Sequence, residues 1–132
     1  MEAARLRQEL EEGARRAEAV AAQKVIDDFM VKVRELGMAP EPLQATLMNG
    51  TTVKTDKRGW YVNNRRSLAI GEKGEYYVLV VPGGGLLTRF TGVKLEASPP
   101  SLEVSRGGRD GESGPLVEFL ERVLDRARRG AS

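Results

Sequence analysis

Apolar residues recur at helical spacing along the first part of the chain. Ala22, Val25, Ile26, Phe29, Met30, Val33 and Leu36 fall on one stripe, with Lys24, Asp27, Asp28, Lys32 and Glu35 off it. From 2 to 36 there is no proline and only Gly13 among the glycines, so the pattern predicts one long helix ending at Gly37, ahead of the helix-breaking Met38-Ala39-Pro40-Glu41-Pro42. Its first half is thinner. Leu6, Leu10, Ala14, Ala17 and Ala21 make a narrow seam flanked by Glu11 with Arg15 and Glu12 with Arg16, ion pairs at i,i+4 spacing.

At 1.5 Å per residue this helix is roughly 50 Å long, whereas a compact chain of this size is only about 36 Å across. Two outcomes fit. Either residues 1–16 project as a helical extension and meet a partner through Leu6, Leu10, Ala14 and Ala17, or the helix frays or bends at Gly13.

The period then changes from helical to alternating. Leu43, Ala45 and Leu47 alternate with Gln44, Thr46 and Met48, Asn49-Gly50 is a hairpin dipeptide, and 51–55 returns. Short strands follow at 60–62 and 67–70, the latter turning through Gly71-Glu72-Lys73-Gly74 into 76–81. Because 76–81 is apolar or aromatic on both faces, it reads as the centre of the sheet. Pro82 and the glycines at 83–85 stop it, 86–90 and 93–96 read as one or two edge strands, and Ser98-Pro99-Pro100 opens a loop.

A last helix is expected from about Pro115, behind Ser113 or Gly114 as cap. Leu116, Phe119, Leu120, Val123, Leu124 and Ala127 form its stripe, and Arg126, Arg128 and Arg129 complement its dipole. The order predicts an α+β domain: a long N-terminal helix, an antiparallel sheet of about five or six strands and a C-terminal helix, packed as a two-layer sandwich with both helices on one face.

Composition narrows the chemistry. The 132 residues suit a single domain, 1–132, and 21 Lys and Arg against 19 Asp and Glu leave only a slight positive excess. There is no cysteine and no histidine. Disulfides, thiolate nucleophiles, the common zinc ligands and imidazole acid–base chemistry are therefore excluded, and neither metal nor cofactor is expected. The charged start MEAARLRQELEEGARR is no secretory signal, and no run reaches the ~20 apolar residues of a membrane span. A cytoplasmic protein with no membrane partner is expected, and the Ala, Arg, Gly and Glu bias resembles that of a GC-rich bacterial genome.

Three features invite a binding role. The segment 54–66, KTDKRGWYVNNRR, places Lys54, Lys57, Arg58, Arg65 and Arg66 around Trp60 and Tyr61, the mixture that holds single-stranded nucleic acid by phosphate neutralisation and stacking. Successive strand residues face opposite ways, so Trp60 and Tyr61 do not share a platform and one belongs to the core; the cations equally suit solvated strand ends. The glycine loop 105–116 offers Arg106, Gly107, Gly108 and Arg109 to an anion, but it lacks P-loop and dinucleotide spacing, and Asp110 and Glu112 would repel the same anion. The paired acids Asp27-Asp28, Glu11-Glu12 and Glu72 with Glu75 read as solvated faces.

The leading expectation is a non-enzymatic protein-binding or adaptor module whose partner is a second copy of itself, joined through the N-terminal seam or an exposed sheet face. A nucleic-acid-binding module on 54–66 is the alternative, and anion or nucleotide binding at 105–116 the next.

Overall fold

The computed structural model describes residues 1–82, 91–104 and 113–130. Helix α1 spans Glu2–Leu36 without interruption at Gly13. It ends as its sequence requires: Gly37 adopts the left-handed conformation (φ 65°), its N–H reaches the Arg34 carbonyl, and the Met38 N–H reaches Val33. Strands β1 (Glu41–Leu47), β2 (Thr52–Tyr61), β3 (Leu68–Gly71), β4 (Tyr76–Val78) and β5 (Val80–Val81) follow, then the short ladder of β6 (Glu103–Val104) with β7 (Gly114–Pro115), and helix α2 (Leu116–Gly130). The strand expected at 86–90 lies outside the described residues.

The five-stranded sheet has the order β4-β3-β2-β1-β5, antiparallel except where β5 runs parallel to β1. Its two edges are one continuous segment. Leu79, the residue between β4 and β5, donates its N–H to Ser67 (2.8 Å), and its carbonyl accepts the N–H of Thr46 (2.7 Å). The segment 76–81 thus pairs with β3 through its first half and with β1 through its second, and the sheet rolls up and closes. This corrects the expectation that 76–81 is the sheet's centre: the run is apolar on both faces because it is the seam of a small barrel. Tyr77 and Leu79 point inward, Tyr76 packs under the helices, and Val78 and Val80 are exposed.

Closure divides the core in two. Leu43, Ala45, Leu47, Val53, Ala69, Tyr77, Leu79 and Leu95 fill the interior of the roll. On its outer face Trp60, Val62, Leu68, Ile70 and Tyr76 meet Ala22, Ile26, Phe29, Met30 and Val33 of α1 and Leu116, Phe119, Leu120, Val123 and Leu124 of α2. Both helices therefore lie on one side of the sheet. The opposite side is the interior of the roll, and its described apolar side chains, from Leu43 to Leu95, are buried.

The strands expected separately at 51–55 and 60–62 are one long β2. Between them the register against β1 slips, Pro42 pairing with Arg58 but Gln44 with Lys54. At this bulge the Thr55 hydroxyl donates to the Leu43 carbonyl (2.8 Å) and accepts the Lys57 N–H (3.2 Å), replacing ladder bonds. The displaced backbone captures the segment 93–95: Val93 donates to Lys54, Asp56 donates to Val93, and the Asp56 carboxylate accepts the Leu95 N–H (2.9 Å), delivering Leu95 to the interior. Two tethers hold the ladder to the helices. Glu18 accepts the Ser101 hydroxyl (2.8 Å) and the Leu102 N–H (3.0 Å), and the Leu102 carbonyl takes the first N–H of α2, from Leu116 (2.7 Å).

Two outcomes test this architecture. A Cβ at Gly59 would collide with the Ile70 carbonyl oxygen and crowd the Gly71 Cα, so Gly59→Ala should destabilise by more than about 3 kcal/mol in denaturant unfolding, beyond an ordinary point change. The Leu95 amide, then the Lys57 ammonium, hold the Asp56 carboxyl below its ordinary 3.8. A lowered folded-state value contributes stability that is complete above the unfolded value and lost as pH falls through the folded one. The stability gap between wild type and Asp56→Ala should therefore be widest above pH 4 and narrow steadily below it, measured by unfolding midpoints from pH 5 to 2.

Candidate functional site

The cations of 54–66 do not form one surface. Lys54 lies beside Gly92 and Lys94, about 20 Å along β2 from Trp60 at 3.3 Å per residue. Lys57 is paired with Asp56 (2.9 Å), and Arg58 donates to the Pro40 carbonyl (3.1 Å). Trp60 is the core member of the aromatic pair: it packs edge-on against Phe29, centroids 6.3 Å apart at 82°, with its Nε1 buried and unpartnered. Tyr61, on the other face, is half-buried, and its hydroxyl oxygen accepts the Gln44 N–H (2.9 Å).

Beyond Tyr61 the chain makes a fixed turn. The Asn63 side chain, 4% exposed, accepts the N–H groups of Ser67 (3.0 Å) and Leu68 (3.3 Å) and donates to the Ser67 hydroxyl (2.8 Å), while the Asn63 main-chain carbonyl takes the Arg66 N–H (3.1 Å). Arg66 is forced into the left-handed region (φ 57°), the one non-glycine residue with positive φ among those described, and its guanidinium lies 4.9 Å over the Tyr61 ring. Asn64 accepts a bond from Arg126 of α2 (3.2 Å), joining turn to helix. Arg65 is exposed on the same turn.

Between the turn and α2 lies a cleft of about 300 Å³, lined by Asn63, Asn64, Ser113, Phe119, Arg122, Arg126 and Arg129. A second hollow, about 470 Å³, shares Asn63, Asn64 and Arg126 and adds Trp60, Tyr61, Arg66 and Glu41. The structure so brings Trp60, Tyr61, Arg65 and Arg66 to one end, leaves Lys54 and Lys57 away from it, and adds Arg122 together with Arg126 and Arg129, the last two expected from the sequence only as complements of the helix dipole. Their signal in the sequence is the i, i+4, i+7 spacing of Arg122, Arg126 and Arg129, beside the apolar stripe of α2. Arg106, Gly107, Gly108 and Arg109 lie outside the described residues.

Of the paired acids, Glu75 is bonded into the turn that precedes β4. Burial tends to raise the Glu75 carboxyl, but its own amide, the Tyr77 hydroxyl (2.8 Å) and the Lys73 amide (2.8 Å) outweigh it and hold it below its ordinary value. Among the described residues, no three His, Cys, Asp or Glu side chains are grouped as metal ligands, and no helix is long and apolar enough to cross a membrane.

The second site is the start of α1. None of residues 1–17 is buried; Leu6 and Leu10 are 59% and 68% exposed, Ala14 and Ala17 are exposed, and Val20 is 59% exposed. Among the described residues the last tether to the body is Glu18, and the helix continues N-terminal to it without bending at Gly13.

No family model, curated protein or solved structure matches the chain. The turn itself is open to test: Asn63→Ala removes the acceptor for two amides, and should cost about 2–4 kcal/mol in denaturant unfolding, whereas Asn64→Ala at its exposed neighbour should stay within about 1 kcal/mol.

Proposed function

We propose that the protein is a homodimeric protein-binding or adaptor module, of a bacterial cytoplasm, whose subunits join by parallel pairing of their overhanging α1 helices. The observation that carries this reading is the exposure of Leu6 and Leu10 on a helix that continues well past its tether at Glu18. A solitary helical stretch of this length is marginal in water, and two bare leucines on it gain by finding apolar cover.

The sequence of the overhang suits a second copy. Ala3, Leu6, Leu10, Gly13, Ala17 and Val20 follow alternating three- and four-residue steps, the a and d positions of a short heptad seam. Glu2, Glu9 and Arg16 then occupy g positions and Arg7, Ala14 and Ala21 e positions. In parallel pairing, Glu2 faces the partner's Arg7 on both sides, Glu9 faces alanine, and Arg16 faces alanine. No like charges meet. Antiparallel pairing that sets Leu6 on the partner's Leu10 would instead put the two Glu9 carboxylates together. The parallel form places both barrels at the same end of a shared stalk.

Light scattering after size exclusion should give twice the 14.5 kDa chain mass. Leu6→Ser with Leu10→Ser should raise the dimer Kd at least a hundredfold, since each buried leucine is worth about 1.5–3 kcal/mol. Both side chains are exposed in the single chain, so the melting of the barrel should be retained, with any loss of helical dichroism confined to the unpaired stalk. A monomeric wild type at all concentrations, or a dimer untouched by the double substitution, would end this reading.

A further inference from the structure

The geometry points to the cleft between the 63–66 turn and α2 as a binding site for a ligand carrying two or more phosphates in series. Arg122, Arg126 and Arg129 stand on one face of α2 over about 10 Å, at 1.5 Å per residue, and Arg66 lines the adjoining hollow beside Arg126. One phosphate is satisfied by one or two guanidinium forks. A row of this length therefore fits a chain of phosphates better than a single anion.

Three observations set this cluster apart from a solvated helix face. The first is charge. Among the described residues, no carboxylate lines the 300 Å³ cleft, and Arg126 and Arg66 have no carboxylate within 4 Å. Among the described residues the acids nearby are Glu118, 3.9 Å from Arg122, and Glu41, on the wall of the second hollow, while Arg129 also donates to the Asp125 main-chain carbonyl (3.4 Å). The second is strain. The φ of Arg66 is one that glycine or asparagine adopts readily and arginine does not, yet an arginine stands there with its guanidinium aligned on Tyr61. The third is rigidity. The buried Asn63 fixes the turn and Asn64 fixes Arg126, so the donors are held before any ligand arrives.

Two ligands share this chemistry: a free oligophosphate and the backbone of a nucleic-acid strand. Inorganic tripolyphosphate, followed by titration calorimetry, and a fluorescein-labelled oligothymidylate of twenty nucleotides, followed by anisotropy over a salt series, separate them. We expect tripolyphosphate to bind; binding of the oligonucleotide as well, with displacement by tripolyphosphate, identifies a strand backbone as the ligand. Arg66→Asn with Arg126→Gln should weaken binding at least tenfold and reduce the salt slope by about one for each arginine that meets a phosphate. Asparagine accepts the backbone of position 66, so the double variant should melt close to wild type, and Arg126→Gln alone carries the test should it not. Lys54→Gln, at the far end of β2, should change nothing. Failure of both probes to bind, unchanged binding by the arginine variants, or an equal loss in Lys54→Gln would overturn the assignment. None of these outcomes depends on whether the chain dimerises.

Discussion

The two hydrogen bonds of Leu79 govern the rest of the molecule. An open five-stranded sheet of short strands leaves two edges and one bare face, each exposing groups that would seek other partners. By donating to Ser67 and accepting from Thr46, a single residue passes the chain from one edge to the other. The inner face then becomes a core filled by its own side chains, and the outer face becomes convex. Two helices pack side by side on that convex surface, and their axes fix where everything else is placed.

The overhang of α1 follows from that geometry. The roll is shorter than the helix that covers it, and the apolar stripe from Ala22 to Val33 is all that the outer face can bury. Ahead of it, Glu18 closes the contact by accepting bonds from Ser101 and Leu102. N-terminal to Glu18 the helix keeps its own backbone ladder, and among the described residues no further bond ties it to the body. Burial on the body and exposure on the stalk are successive parts of one continuous helix, and the sequence marks the transition by the change from large to small residues on the stripe.

Much of this was legible in the chain, and the failures have physical causes. The helices, the glycine stop at Gly37, the Asn49-Gly50 hairpin and the one-sided helix layer follow from periodicity and turn chemistry, which are local. Closure is not local: Tyr76 to Val81 reads the same as a central strand or as a seam, because both are apolar along their length, although Val78 and Val80 of the seam are exposed, and only the partner at each end distinguishes them. The continuity of β2 was hidden for a similar reason. Lys57-Arg58-Gly59 resembles a break, whereas Gly59 is where Ile70 and Gly71 come too close for a side chain, and the bulge at Thr55 to Lys57 accommodates the slip. At the arginine cleft, Arg65 and Arg66 were visible as part of a basic run. Arg122, Arg126 and Arg129 join them only through the packing of α2 against Val62 and Trp60.

The two sites are separated by the same architecture that creates them. Phe119 and Val123 of α2 face the core while Arg122 and Arg126, one turn apart, stay beside the Asn63 turn, so the burial that stabilises the helix also aims its cations. The turn is closed at its base, where Val62 donates to Leu68 and the Asn63 side chain accepts the N–H groups of Ser67 and Leu68. Strain at Arg66 is therefore supported by a barrel that holds the turn whether or not the stalk is paired. The cleft on the body is lined by cations and the seam on the stalk is apolar, so the two ends of the molecule carry different chemistry.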